Sequence, residues 1–274
     1  MSRTAITFSI GLTLISGAAA AQSDDTAAEI AKDLANPFAD LIVLPLILEY
    51  TPDIGSDDGY RTSLSFQPIY PFQLNSDLTL TVRTIIPLIQ QENIVGSSGS
   101  QFGLGDIEQE FFLAPNAKQT RFGDLSLGAG LQVTWPTSTD SLLGEGTMAL
   151  GPTAAALVQK NGWTYGGLIT QQWGVWETRD NVPDVNTTFL EPFVAYTNAS
   201  QWTFQTFAES EYDWTADEWW VPVTAEVGKL VEFGEVPVQI MGGVTYWADS
   251  PQGGPDGLAF RMDVSVVIPK GLKK

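Results

Sequence analysis

Cysteine and histidine are both missing from this chain of 274 residues. Without thiols the chain forms no disulfide and offers no thiolate nucleophile, and without imidazole it lacks a common metal ligand and the commonest general base. These absences exclude Cys/His metal sites and every mechanism that uses histidine as the base. We therefore predict no catalytic residue, no cofactor and no bound metal.

Basic residues are also scarce. Lys and Arg together number 13 against 32 Asp and Glu, which gives a formal net charge of −19 at pH 7. Binding to nucleic acid needs a basic patch that contacts the phosphates. A chain so short of positive charge cannot assemble one, so we expect no nucleic-acid partner.

Long hydrophobic runs are absent beyond the N-terminus. A transmembrane helix needs about 20 predominantly apolar residues in succession, and no segment after residue 21 approaches that length. At the N-terminus, Arg3 is followed by the apolar run 5–15 and by a small-residue stretch ending in Ala19 and Ala21. This pattern predicts a secretory signal peptide over residues 1–21. An exported chain that spans a membrane must then do so with strands.

Apolar and polar side chains alternate through much of the remaining sequence. In 123–135, for example, Leu127 and Leu131 share one parity while Gln132 has the other. Similar strand-like segments occur at 44–51, 60–70, 77–89, 103–113, 123–135, 147–159, 162–174, 187–197, 201–212, 218–230, 236–247 and 258–268. An even count of long alternating segments is typical of outer-membrane barrels. We predict an all-β fold, a transmembrane antiparallel β-barrel of about 12 strands over residues 44–274. The alternatives are a secreted β-sandwich and a periplasmic lipid-binding barrel.

Residues 22–43 precede the first predicted strand. Apolar residues recur at helical spacing from Thr26 to Leu34, and Asn36-Pro37 ends the pattern. The sequence predicts a short N-terminal helical segment that is either periplasmic or a plug of the lumen. A loosely ordered terminus is the alternative.

Tryptophan placement gives a separate indication of a membrane barrel. Outer-membrane barrels carry girdles of aromatic residues at both membrane interfaces, and all nine Trp fall near predicted strand ends. The residues predicted to lie at the membrane interface are Trp135, Trp163, Trp173, Trp202, Trp219 and Trp247. Lipid and lipopolysaccharide of the bacterial outer membrane are therefore the expected surroundings.

Several stretches also resemble a known family. They are DLANPFADLIVLPL (33–46), RTIIP (83–87), FGLGDIEQEFF (102–112), ALGPT (149–153), DVNTTFLEPFVAY (184–196), EYDWTADEWWVP (211–222) and YWADSPQGGPDGLAFR (246–261). The chain is similar to bacterial outer-membrane transporters grouped with the phenol-degradation meta-pathway proteins, many of which are labelled neuromedin U. The resemblance implies a barrel that passes small molecules, hydrophobic or aromatic compounds among them, and it carries over no catalytic motif.

Inward-facing charged residues are the candidates for function. The parity of the strands assigns to the lumen Glu49, Arg83, Asp106, Glu108, Glu110, Glu209, Glu211, Glu226, Arg261 and Asp263. Arg83 is predicted to face the Glu108/Glu110 region, and Arg261 to approach Glu49 where the barrel closes. These residues either form charge pairs that hold a narrow barrel together or line a polar path that favours cations.

Two weaker patterns suggest other chemistry. Asp53, Asp57 and Asp58 form an acidic loop, but their spacing lacks the EF-hand pattern of a calcium site. The pairs Glu108/Glu110 and Glu209/Glu211 suggest the two carboxylates of a glycosidase, yet nothing else indicates a sugar site. We predict an outer-membrane channel or diffusive transporter for a small-molecule solute, with a non-conducting structural barrel as the alternative. The sequence does not indicate an oligomeric state.

Overall fold

The computed structural model describes residues 20–269 except 181, 183 and 235. One helix, α1 (Ala20–Asp33), precedes sixteen β segments: β1 Leu41–Ile54, β2 Gly59–Phe66, β3 Ile69–Asn75, β4 Leu78–Glu92, β5 Ser100–Leu104, β6 Ile107–Pro115, β7 Lys118–Thr120, β8 Gly123–Trp135, β9 Thr147–Lys160, β10 Trp163–Glu177, β11 Asn186–Thr197, β12 Trp202–Ala208, β13 Ser210–Asp213, β14 Glu218–Phe233, β15 Val236–Asp249 and β16 Gly257–Pro269. Within this part of the chain, no helix is long and apolar enough to cross a bilayer. The predicted signal peptide lies outside the described residues except for Ala20 and Ala21, which begin α1.

The sixteen segments make up 12 strands of a closed barrel, because three strands are interrupted. β2 and β3 are halves of one strand separated at Gln67 and Pro68, where proline supplies no N–H for the ladder. β5, β6 and β7 similarly belong to one strand, and β12 and β13 to another that breaks at Glu209. On both sides of each interruption, the segments pair with the same neighbouring strand.

The sheet closes on itself between its first and last strands. β1 pairs with β16 in an antiparallel register that runs from Leu41 opposite Pro269 to Tyr50 opposite Phe260. All pairings along the described chain are antiparallel, and most join consecutive strands. Closure removes the unpaired edges that a bilayer could not satisfy. The prediction of an all-β antiparallel barrel of about 12 strands is confirmed.

The outer face of the barrel wall is apolar and its inner face is polar, the reverse of a water-soluble protein. In β8, the outward side chains of Leu127 and Leu131 are 42% and 50% exposed, whereas the inward side chains of Ser126 and Gln132 are 4% and 6% exposed. An outer face of exposed aliphatic and aromatic side chains is stable in lipid and unfavourable in water. The β-sandwich alternative is therefore wrong, since its polar side chains would face outward.

Polar side chains inside the barrel bond to one another across strands. Three pairs of buried threonines do so at the hydroxyl oxygens: Thr153–Thr170 at 2.7 Å, Thr197–Thr203 at 3.0 Å and Thr224–Thr245 at 2.8 Å. A buried hydroxyl is costly unless it is hydrogen-bonded, and partners at the same level of neighbouring strands provide the bonds. These cross-strand pairs satisfy the polar side chains on the inner face of the barrel wall.

The connections differ in length at the two ends of the barrel. The short turns include Asn161-Gly162 between β9 and β10, where both residues have positive φ, as two-residue hairpins require. The longer loops lie at the opposite end and include 93–99 and 136–146. Bacterial barrels have short turns in the periplasm and long loops outside. We therefore call the two ends periplasmic and outer.

Candidate functional site

The N-terminal segment packs inside the periplasmic end of the barrel. Ala27 and Ala31 of α1 are buried against Leu230, whose side chain shares the inward parity of β14. Ile30 and Leu34 pack around this contact. Further along, the ring of Phe38 meets that of Phe112 edge to face, with 5.6 Å between centroids. We name residues 27–39 the inner closure.

Asn36 fixes the inner closure to the barrel wall after α1 ends. Its Nδ2 donates to Gln159 Oε1 at 3.2 Å and to Ser126 Oγ at 3.4 Å, while Gln159 Nε2 donates to the carbonyl of Lys32 at 3.0 Å. The Oδ1 atom of Asn36 accepts a hydrogen bond from the backbone N–H of Phe38. Partial burial raises the pKa of the Asp33 carboxyl above 3.8, although neighbouring Lys32 opposes the shift. The segment is therefore held by both apolar and polar contacts.

A loop folds into the opposite end of the barrel. Asp106, between β5 and β6, accepts the backbone N–H of Ser138 at 2.9 Å and that of Glu145 at 2.7 Å. Gln91, which is fully buried, donates to the carbonyl of Leu142 at 2.8 Å. Leu143 is buried at the tip of this loop. We name residues 136–146 the outer closure, and Asp106 acts on this loop rather than standing free in the lumen.

Arg261 is the centre of the larger interior charge cluster. Its guanidinium lies 3.1 Å from Glu209, 3.4 Å from Glu49 and 3.5 Å from Glu226. Glu49 is its register partner on β1, as the closing strand pair requires. Three carboxylates around one guanidinium leave a local excess of negative charge.

Arg83, on β4, forms a second charge cluster. Its Nη1 lies 3.5 Å from Glu110, its register partner on β6, and its Nη2 donates to Gln67 Oε1 at 2.6 Å. Glu108, two residues before Glu110, accepts a hydrogen bond from Gln132 at 2.9 Å. Both arginines thus meet the acidic regions that the sequence analysis paired with them.

The other predicted lumen residues occupy separate positions. Asp263 accepts a hydrogen bond from Ser265 at 2.8 Å. Glu211 stands in register with Phe189 and Trp220 nearer the outer end. Among the described residues, no group of three or more acidic side chains is arranged to hold a metal ion.

A cavity of 220 Å³ lies between the inner closure and the two charge clusters. Apart from Asp33 in the inner closure, its periplasmic side is apolar, and its other side is charged. The apolar lining includes Val43, Ile47, Phe112, Leu157, Phe193, Phe207 and Met241, and the charged lining is Asp33, Arg83, Glu110, Glu191, Glu209, Arg261 and Asp263. The arrangement can hold a small molecule with one apolar and one polar part.

Five of the six tryptophans predicted for the membrane interface are exposed on the outer face: Trp135, Trp163, Trp173, Trp202 and Trp219. Trp247 differs. It stands opposite buried Pro222, its ring packs edge to face on Trp220 with 6.1 Å between centroids, and its indole nitrogen is buried. An extra residue in β15, Ala248, shifts the pairing between Val221 and Pro222. Trp247 therefore faces the inside of the barrel, whereas the sequence analysis predicts it at the membrane interface.

Sequence reasoning missed the glutamines that connect the interior. Gln67, Gln91, Gln132 and Gln159 are each buried and bond to charged groups or to the two closures. Their inward parity was a usable signal, because a glutamine on the lumen face of a strand has both a donor and an acceptor to place.

The sequence matches no protein-family model and no curated protein. In structure, the chain is similar to an outer membrane channel from Pseudomonas putida F1, with a TM-score of 0.63 and 15% identity over 84% of this chain and 96% of that one. The porin NanC gives a TM-score of 0.51 and 10% identity over 82% and 99% of the two chains. The outer membrane phospholipase of Salmonella typhi gives 0.47 and 12% over 89% and 96%, a similarity too low to inform on activity.

These similarities show the fold: this chain has the architecture of outer-membrane β-barrels, as channels and porins do. A closed barrel with an apolar outer band is one of the few structures that a bilayer accepts. The predicted location in the bacterial outer membrane is confirmed. Membership of the phenol meta-pathway group stays a prediction, since no family model matches.

Proposed function

We propose that the chain is an outer-membrane channel for small solutes, without enzymatic activity, whose lumen is closed at both ends by its own segments. The observation that carries this proposal is the cavity between the inner closure and the charge clusters. Its floor consists of Asp33, Leu34, Asn36 and Pro37, which belong to no wall strand. A floor built from a separate segment can move while the barrel stays intact.

The acidic lining supports passage of cations. The interior clusters place Glu49, Glu209 and Glu226 around Arg261. Glu110 forms an ion pair with Arg83, and Glu191, Glu209 and Glu108 lie near enough for their charges to act on it. Excess carboxylates in a confined lumen attract cations and raise the barrier to anions. The surrounding partners that we expect are outer-membrane lipid and lipopolysaccharide.

A deletion tests whether the inner closure blocks the lumen. We expect the purified parent protein to conduct little in a planar bilayer, and a variant lacking residues 22–40 to conduct more and to prefer cations in the reversal potential across a salt gradient. Anion selectivity would contradict the assignment of the lumen. Equal, negligible conductance of both proteins, with the barrel folded, would instead favour the structural barrel.

A reversible cross-link keeps the whole chain and therefore controls for the deletion. The chain has no cysteine of its own, so Ala31→Cys combined with Leu230→Cys places two thiols in one apolar cluster. Oxidation should abolish residual conductance and reduction should restore it, because the disulfide holds α1 against the wall. Ala31→Cys alone is the matched control and should not respond. A response in the single variant would show that oxidation acts elsewhere.

The structural alternative also has an observation in its favour. The contacts of Asn36 with Ser126 and Gln159, together with the Arg261 cluster, bridge the lumen and stabilise a narrow barrel. If that were their whole role, loosening the inner closure would lower thermal stability without producing conductance. Measuring unfolding and conductance on the same variants separates the two functions.

A further inference from the structure

We infer that the cavity above the inner closure binds a small organic cation, an ammonium group carried on a single ring or a short apolar chain. As a statement about the transported solute, this rests on the proposed function; as a statement about binding, it stands on the cavity itself. Four features of the cavity point to such a ligand: its volume, its apolar wall, its charge and one unpartnered hydroxyl.

The volume and wall fix the size and polarity of one end of the ligand. An engineered apolar cavity of about 150 Å³ is large enough for benzene, and this cavity measures 220 Å³. Phe112, Leu157 and Phe207 are buried in its wall. A single ring or a chain of similar volume fits against them, whereas a fused polycyclic compound does not.

The charge of the lining determines the other end of the ligand. Five carboxylates and two guanidinium groups face the cavity. Both guanidinium groups already contact carboxylates at 3.5 Å or less. The side chain of Glu191 makes no hydrogen bond and no ion pair within 4.0 Å to any described residue. Arg83 and Arg261 act on Glu191 only from beyond that distance, so a ligand cation can bind directly beside its carboxylate, and a ligand anion would be repelled there.

Thr81 supplies a second, independent indication of a ligand. Its side chain is 2% exposed in the cavity wall, and its hydroxyl oxygen has no hydrogen-bond partner. Buried hydroxyls are normally paired, as the cross-strand threonine pairs of this barrel are. An ammonium group has three N–H bonds to donate, and the lining of this cavity offers it a hydroxyl acceptor in Thr81 as well as the carboxylate of Glu191.

Calorimetry on the full-length purified barrel tests the inference with three related probes. We expect 2-phenylethylammonium to bind at least tenfold more tightly than the neutral 2-phenylethanol, and 3-phenylpropionate not to bind. Glu191→Gln should weaken binding of the ammonium about tenfold and leave the alcohol unchanged. Glu232→Gln, which removes an exposed carboxylate near a periplasmic turn, is the matched control and should change neither.

A cavity-filling variant locates the binding. Ala195 is buried in the same wall, so Ala195→Phe should abolish binding of both the ammonium and the alcohol while thermal unfolding shows an intact barrel. Equal affinity for the ammonium and the alcohol would overturn the inference, as would binding that survives Ala195→Phe. Ammonium binding without any flux in the 22–40 deletion would overturn the proposed function alone. Flux of cations without binding would overturn only this inference.

Discussion

The two closures of the lumen are built from different interactions. The inner closure packs alanines and a phenylalanine against apolar groups of the wall, with Asn36 as its principal polar anchor. The outer closure is held mainly by hydrogen bonds: its backbone N–H groups donate to the Asp106 carboxylate, and the buried Gln91 side chain donates to the carbonyl of Leu142. Both closures lie in the same barrel, but the inner closure depends on packing and the outer closure on hydrogen bonds to polar side chains of the wall.

The difference follows from what each segment offers. The inner closure contains a helix, which satisfies its own backbone and can present small apolar side chains to the wall. The outer closure has no regular structure, so its backbone N–H and C=O groups must find partners in the wall. We therefore expect the inner closure to respond to changes of volume and the outer closure to loss of a single carboxylate.

The largest effect is expected at Asp106. Replacing Asp106 with Ala removes two charge-assisted hydrogen bonds, and each is worth about 1.5–3 kcal/mol. Allowing for relaxation, local opening of residues 136–146 should become about 3 kcal/mol easier, which corresponds to roughly hundredfold faster amide hydrogen exchange in that loop. Exchange in α1 should not change.

Asp256→Ala is the control for this experiment, since it removes an exposed carboxylate from another outer loop. Unchanged exchange of 136–146 in Asp106→Ala would mean that apolar contacts of Leu143 hold the loop. The contrast between the two closures would then disappear.

An intermediate effect is expected at Gly128. A Cβ built on Gly128 would lie 2.4 Å from Cζ of Phe38, so Gly128→Ala forces the ring to move and should destabilise the inner closure by about 1–2 kcal/mol. Phe38→Ala removes the obstructing ring, and in that background the alanine should cost little. Amide hydrogen exchange of residues 27–35 in the parent, the two single variants and the double variant completes this double-mutant cycle.

Gly242→Ala is the matched control, because a Cβ at Gly242 has no atom within 4 Å. The same penalty for Gly128→Ala with and without Phe38 would show that this ring is not what occupies the space. Packing would then not account for the inner closure.

The sequence predicted the barrel well because its signal is repeated in every strand. Residues such as Leu127 and Gln132 belong to an alternation that one face in lipid and one in the lumen impose throughout. Antiparallel neighbours likewise made Arg83 face Glu110 and Arg261 face Glu49. These contacts follow from register alone.

The closures could not be predicted in the same way. Asp106 has inward parity, but its contact with residues 138 and 145 depends on the path of a loop without periodicity. Trp247 shares the inward parity of Met241 and Thr245 in β15, whereas its position near a strand end says nothing about which face it occupies. A contact made by an irregular segment occurs once, whereas the alternation recurs in every strand. Only the recurring pattern can be recognised from the sequence.

The smallest effect is expected from pH, and it concerns the inner closure alone. Burial raises the pKa of Asp33 above its ordinary 3.8 when the segment is in place. Because the closed state binds the proton more tightly, protonation stabilises closure. This stabilisation is complete below about pH 3.8 and is lost as pH rises through the raised pKa. A nitroxide attached at Ala28→Cys should therefore become more mobile between acidic and neutral pH. Asp33→Asn, which stays uncharged, should remove that dependence, and a transition that persists in Asp33→Asn would assign it to another group.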